Sequence, residues 1–174
     1  MPIAADGDHG GWCEVGQPGR RRLLITGSAA SGRSTALATI ALQACRAGRT
    51  VCVVADEHSD LARLTTGGTP FVRGSGRGAA AAHFSSGDSR LHRLTWHQDE
   101  ELIDLRRVHS DLVVVADDVD RHMEASAVPV LEQIADIVER DGGLIAVSGD
   151  AAVVGLRPRG LGPAVARGRV TIVL

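Results

Sequence analysis

The chain has 174 residues, of which 44% are hydrophobic and 23% charged, and its formal net charge at pH 7 is -2. This length suits one complete domain with a sizeable core, and the charge excludes a general attraction to nucleic acid or acidic membranes. All 19 basic residues are arginine, so an arginine where other proteins use lysine is weaker evidence of a specialised role here.

The cysteines and histidines do not indicate a metal or disulfide framework. Cys13, Cys45 and Cys52 lack C-x-x-C spacing, and the seven histidines have no partners at ligand spacing. The chain opens with no signal-peptide pattern, and no apolar run approaches the length of a membrane span. We therefore expect a cytoplasmic protein without direct membrane insertion.

The chain begins with a segment rich in glycine and small residues. We expect residues 1–21 to form a flexible or hairpin lead-in, and residues 22–174 to form a single domain. Residues 22–26 are a short apolar run typical of a strand buried on both faces. A helical pattern follows from Ser34 and ends near Gly48, and residues 50–55 predict a second buried strand. Together these elements predict a βαβ unit.

Residues 27–35 join that first strand to the helix and read Gly-Ser-Ala-Ala-Ser-Gly-Arg-Ser-Thr. They match the phosphate-binding P-loop pattern G-x-x-x-x-G-K-[ST] except that Arg33 replaces lysine. Backbone amides of such a loop and the helix N-terminus converge on phosphates, and the hydroxyl at Ser34 is positioned to ligate Mg²⁺. The predicted nucleotide-binding residues are Gly27, Ser28, Ser31, Gly32, Arg33, Ser34 and Thr35.

Arg33 affects catalysis more than binding. The usual lysine neutralises charge that develops on the transferred phosphoryl group, and a forked guanidinium reaches that charge with a different geometry. Loss of such stabilisation typically costs about two to three powers of ten in rate. We therefore assign Arg33 to the catalytic set and expect slow turnover or none.

A long loop is predicted at about residues 65–90, where glycine, serine and alanine replace apolar periodicity. Its arginines Arg73, Arg77 and Arg90 are candidates for phosphate contacts, but a solvated flexible segment is the simpler interpretation. A short strand at residues 90–96 and a short amphipathic helix from Asp99 follow.

Residues 111–118 form a continuous apolar strand that ends in two carboxylates, Asp117 and Asp118. This arrangement is typical of a Walker B element, in which Asp117 orients Mg²⁺ through water and Asp118 stands where a glutamate polarises the attacking water. Aspartate is one methylene shorter, which again favours binding over catalysis. A helix at about residues 126–140 and strands at 144–148 and 170–174 complete a three-layer α/β P-loop NTPase fold of the RecA/ASCE type with a mostly parallel sheet.

These motifs resemble the FtsK/SpoIIIE-type ATPase domains, above all the degenerate C-terminal domains of actinobacterial EccC-like type VII secretion ATPases. The similarity rests on residues 23–27 and 31–35, on residues 113–120 with a third aspartate at Asp120, and on the chain's last 15 residues. It implies a Walker B strand beside the P-loop strand, ATP and Mg²⁺ as ligands, and assembly with copies of itself or with partner ATPase domains. It also implies recruitment to a membrane complex through partners, and DNA or secreted proteins as substrates.

Three functions remain open at this point. The first is a nucleotide-binding domain, weak or degenerate in hydrolysis, that associates with or regulates a DNA- or protein-translocating ATPase. The second is an active stand-alone ATPase in DNA handling, with Asp118 as base and an arginine finger such as Arg157 or Arg159 from a neighbouring subunit. The third is a pseudo-NTPase interaction module that binds no nucleotide.

Overall fold

The computed structural model describes residues 2–5, 12–14, 17–66, 89–154, 160–166 and 170–174. The strands are β1 Pro2–Ala5, β2 Trp12–Glu14, β3 Arg22–Thr26, β4 Val51–Val54, β5 Leu91–Leu94, β6 Val113–Ala116, β7 Leu144–Gly149 and β8 Val170–Val173. The helices are α1 Arg33–Arg46, α2 Asp60–Thr65, α3 Asp99–Val108, α4 Ala127–Asp141, α5 Ala151–Val154 and α6 Leu161–Ala166, and a short 3-10 helix spans Val119–Arg121.

Six strands form one parallel sheet in the order β5-β4-β6-β7-β3-β8. The two remaining strands, β1 and β2, pair antiparallel with each other. All side chains of β4 and β6 are buried, as expected for strands covered on both faces. The parallel sheet confirms the predicted α/β class with a mostly parallel central sheet.

The sheet is covered on both faces, which gives three layers. Alternate residues of the strands point to opposite faces. On one face Leu23, Ile25 and Val113 pack with α1 and with Leu61 of α2. On the other face the neighbouring strand positions pack with α3, α4 and α6.

The structure corrects the strand order that the family resemblance implied. The P-loop strand β3 and the Walker B strand β6 are not adjacent, because β7 pairs with both of them. Strand order is set by which faces and edges the whole chain can bury, and neither motif carries that information. The two motifs nevertheless meet, because parallel strands bring their carboxyl ends to one edge of the sheet.

Helix bounds were predicted to within a residue or two where the ends are marked by turn residues. Helix α1 is followed by Gly48 at φ +79°, and α4 is followed by Gly142 at φ +83°. Helix α4 begins at Ala127 and ends at Asp141, one residue later at each end than predicted. Helix α2 was not predicted, and residues 67–88 of the loop predicted at about residues 65–90 lie outside the described residues.

Candidate functional site

A cleft of about 690 Å³ lies at the carboxyl edge of the sheet. Residues from four parts of the chain line it: the loop between β3 and α1, the first turn of α1, helix α2, and the turn with the 3-10 helix after β6. Most of the predicted binding residues are at its wall. The lining residues are Ala29, Ala30, Ser31, Gly32, Arg33, Ser34, Thr35, Asp60, Arg63, Leu64, Asp118 and Arg121.

The loop between β3 and α1 has the backbone conformation of a tight turn. The amide of Ser31 donates to the carbonyl of Ser28 at 3.2 Å, and Gly32 precedes the helix at φ +100°. The first amides of a helix have no partner within it, so those of residues 33–35 remain for an anion. A Cβ on Gly27 would lie 2.7 Å from the Leu174 carbonyl oxygen, so the chain packs too closely there for a side chain.

Ser34 and Asp117 are directly joined. The Ser34 hydroxyl donates to Asp117 Oδ2 at 2.7 Å, and the other carboxylate oxygen accepts from the Ser148 hydroxyl. Asp117 is only 2% exposed. A buried carboxylate needs hydrogen-bond partners, and the two hydroxyls supply them. The two residues predicted to hold the metal therefore meet in one place.

Arg33 and Asp118 are also joined, and this contact involves both residues assigned to catalysis. Arg33 Nη2 lies 2.8 Å from Asp118 Oδ1, while Nη1 donates to the Gly27 carbonyl at 2.9 Å. The Arg33 side chain is 11% exposed. Its guanidinium is thus bound within the cradle by two acceptors of the protein itself.

Asp118 is held in an unusual backbone conformation. Its φ of +55° is in the left-handed region, which is rare for residues other than glycine and recurs at functional sites. Its amide donates to the Ser148 hydroxyl at 3.0 Å. Burial and the neighbouring Asp117 carboxylate raise the pKa of Asp118, although the Arg33 guanidinium acts in the opposite direction.

Two arginines at the cleft were not predicted as site residues. Arg121 lies in the 3-10 helix with Nη1 4.0 Å from Asp118 Oδ2, and Arg63 lies in α2 with Nη1 3.7 Å from Asp60. Because Arg121 follows Asp118 by three residues, one helical turn after the strand would have placed it nearby. Arg63 had no such signal, since α2 was missed.

Ser148 has a clearer role in the structure than its sequence position suggested. A serine at the end of a strand is common, so its position in the sequence does not by itself indicate a site residue. Because β7 pairs with β6, the Ser148 hydroxyl contacts both aspartates that follow β6. It fixes the two carboxylate-bearing residues relative to each other.

A second cluster lies beyond the cleft, after β4 and β5. Trp96 is 1% exposed and stacks on His122 with ring centroids 4.8 Å apart, and His122 Nε2 lies 3.1 Å from Asp56. These three residues come from separate loops, so no spacing in the sequence links them. Their packing fixes the chain that follows the 3-10 helix.

The chemistry of the site fits a magnesium nucleotide. A serine hydroxyl and a carboxylate are oxygen ligands of the kind that Mg²⁺ prefers, and the helix N-terminus beside them suits a phosphate. The lining arginines add positive charge. The lining carboxylates of Asp60 and Asp118 oppose a phosphate, and the Arg33 guanidinium is already bound to Gly27 and Asp118.

Three further questions concern a metal cluster, a membrane span and the arginines proposed to contact phosphate. The described residues contain no group of three or more His, Cys, Asp or Glu side chains arranged to hold a metal. Within the described ranges, no helix is long and apolar enough to cross a membrane. The candidate fingers Arg157 and Arg159, and Arg73 and Arg77 of the long loop, lie outside the described residues.

Comparison with known proteins gives structural neighbours only. No protein-family model and no curated protein sequence matches the chain. Among solved structures, 99% of the chain superposes on the cytoplasmic domain of EssC with a TM-score of 0.64 and 18% identity. The same share superposes on the cytoplasmic domain of the Thermomonospora curvata type VII secretion ATPase EccC, with a TM-score of 0.64 and 13% identity.

The chain spans 35% of the EssC structure's length and 21% of that of the EccC structure. At these identities the likeness shows a shared fold. The fold is therefore the one found in these EssC and EccC cytoplasmic domains, in agreement with the resemblance that the motifs indicated.

Proposed function

We propose that this chain is a nucleotide-binding P-loop domain of the FtsK/EccC type, weak or degenerate in hydrolysis, that associates with or regulates a DNA- or protein-translocating ATPase. The observation that carries the proposal is the contrast between two adjacent contacts. The Ser34 hydroxyl contacts the Asp117 carboxylate, which places two oxygen ligands for Mg²⁺ side by side. Arg33 contacts Asp118, so the two residues assigned to catalysis are bound to each other.

The binding half of the proposal rests on Ser34, Asp117 and the backbone amides at the start of α1. The hydroxyl and the carboxylate would hold Mg²⁺, and the amides with the helix dipole would hold phosphates of ATP. When bound, the ion supplies neutralisation of phosphate charge. Ser148 keeps the Asp117 carboxylate oriented toward Ser34.

Weak hydrolysis follows from the second contact. A general base has to reach the proton that it accepts, and Asp118 Oδ1 is instead bound by Arg33 at 2.8 Å. Arg33 in turn donates to Gly27 and Asp118, so its charge is directed at the protein. The Arg33–Asp118 contact has to break before Oδ1 of Asp118 can accept a proton or before that nitrogen of Arg33 can bind a phosphate.

Association with other ATPase domains is supported by the structural neighbours. They are cytoplasmic domains of EssC and of a secretion ATPase, and this chain has the length of a fraction of each. We propose that the chain likewise works beside further domains, either copies of itself or partner ATPases, and reaches a membrane complex through them.

Calorimetric titration of the native protein and of Arg33→Lys with Mg-ATP, with phosphate release measured on both, tests the proposal. We expect both proteins to bind and the lysine variant to release phosphate about tenfold faster, because a compact ammonium restores part of the lost stabilisation. Equal and rapid turnover by the two proteins would contradict the weak-hydrolysis half.

A pseudo-NTPase is the second candidate, and a specific contact favours it. Arg33 already fills part of the cradle with its own guanidinium. If the native protein gives no binding heat with millimolar Mg-ATP, the leading proposal is wrong. The chain is then an interaction module that binds no nucleotide.

DNA as a ligand rests on the family resemblance and on the arginines of the predicted long loop, and the slightly negative net charge of the chain counts against it. Fluorescence anisotropy with a labelled duplex, repeated across a range of salt, tests it. Binding that weakens steeply with salt would support a DNA substrate, whereas no signal at low salt would remove it.

A further inference from the structure

Asp118 lies between two guanidinium groups that approach different carboxylate oxygens. Arg33 Nη2 is 2.8 Å from Oδ1, and Arg121 Nη1 is 4.0 Å from Oδ2. Since each arginine addresses its own oxygen, contact with one does not exclude contact with the other. The carboxylate therefore has a bound cation and a second cation within reach.

The two arginines differ in their freedom to move. The Arg33 side chain is 11% exposed and is bound at two points, whereas the Arg121 side chain is 69% exposed. The Asp118 amide is fixed by Ser148, and Asp118 itself is in a left-handed conformation. When these three residues rearrange, we therefore expect the arginine side chains to move more than Asp118.

A polyphosphate that enters the cradle competes for the Arg33 guanidinium. If Arg33 turned to the phosphate, Asp118 would lose its partner while a second negative group stood close to it. An unpaired, partly buried carboxylate near another anion is unfavourable. A neighbouring cation that closes onto Oδ2 removes that penalty.

We propose that Arg121 is a positioning residue that takes over the Asp118 carboxylate when Arg33 engages the phosphates of a nucleotide. This inference rests on the proposed nucleotide binding. It assigns Arg121 an effect on affinity that acts through Asp118 and requires no contact with the nucleotide.

A double-mutant cycle on Mg-ATP affinity tests this role. Arg121→Gln is measured by calorimetry in the native chain and in an Asp118→Asn background. We expect the substitution to weaken binding about threefold to fivefold in the native chain, the upper range for a solvent-exposed pair, and less than twofold beside Asn. Arg121→Lys keeps the charge and is expected to retain most of the native affinity.

Arg63→Gln is the matched control, because Arg63 lines the same cleft and its side chain is 75% exposed, but its paired carboxylate is Asp60. Its effect on affinity is expected to be the same in both backgrounds. A thermal melt of each variant confirms that the fold is retained.

Several results would overturn the inference. One is an equal loss from Arg121→Gln in both backgrounds, which would mean that Arg121 acts on the nucleotide directly. Another is no loss in the native chain, or no rescue by Arg121→Lys. The last is a native protein that binds no Mg-ATP, in which case the proposed function fails as well. In the first two cases native binding stands and only the role of Arg121 is lost.

Discussion

Two neighbouring contacts at the carboxyl edge of the sheet differ in whether their side chains remain available to bind a ligand. Ser34 and Asp117 form a 2.7 Å hydrogen bond that points oxygen ligands at one place. One residue away on each chain segment, Arg33 and Asp118 form a 2.8 Å ion pair that binds both groups to each other. The start of α1 and the end of β6 thus carry two pairs of residues. One pair is suited to bind a metal, and in the other pair the two side chains bind each other.

This difference separates binding from catalysis at the level of single residues. A metal site needs only that its oxygen ligands be positioned, and the buried Asp117 meets that need through Ser34 and Ser148. Catalysis needs groups that are free to interact with the changing charge of the substrate. Arg33 and Asp118 are bound to each other in this structure, at the positions where the motifs predict the catalytic residues.

The largest effect is expected from the metal pair. Asp117→Asn removes the carboxylate charge that would hold Mg²⁺ and leaves the amides of the loop unchanged. We expect Mg-ATP affinity to fall by about two powers of ten, corresponding to one lost charged interaction of about 2 to 3 kcal/mol. Calorimetry with and without EDTA measures this change. An affinity within twofold of native would mean that Asp117 does not hold the ion.

A smaller effect of opposite sign is expected from the ion pair. Asp118→Asn removes a negative charge that binds Arg33, so the guanidinium becomes available to phosphate. We expect Mg-ATP to bind about fivefold more tightly. Asp60→Asn is the control, because it removes a charge from the same cleft where the nearest arginine is Arg63. Equal gains from both variants would show that only the general field of the cleft has changed.

The smallest effect is expected at Cys52, in the strand next to β6. Burial raises the pKa of its thiol to about 12, so at pH 8 about one thiol in ten thousand is ionised. Peptide mapping after treatment with a thiol reagent should find Cys52 unlabelled in the folded native protein. The same assay on Asp117→Asn distinguishes two causes of weaker binding. Cys52 stays unlabelled if only the site has changed, and it is labelled if the protein has unfolded. Rapid labelling of Cys52 in the native protein would contradict the burial of this side chain in β4.

The sequence predicted the elements that are defined by local patterns. Residues 22–26, 51–54 and 113–116 are apolar runs that form strands, and glycines mark the ends of α1 and α4. The order of strands was not predictable in the same way. The position of β7 between β3 and β6 depends on the packing of the whole chain.

The site was predicted in its residues and only partly in its contacts. The spacing of the loop placed Ser34 near Asp117, because a helix start and a strand end at one edge of a sheet converge. It did not reveal that Arg33 binds Asp118, which depends on the length and direction of two side chains. Arg121, Arg63 and Ser148 became site residues only once the topology was known. The roles of the predicted residues in nucleotide binding remain predictions.

The most direct test of the central claim is one calorimetric titration of the native protein with Mg-ATP, with phosphate release followed in the same sample and in Asp118→Asn. We predict saturable binding that depends on Mg²⁺, with phosphate release no faster in the native protein than in the variant. Absence of binding at millimolar Mg-ATP, or turnover that Asp118→Asn abolishes, would contradict the claim.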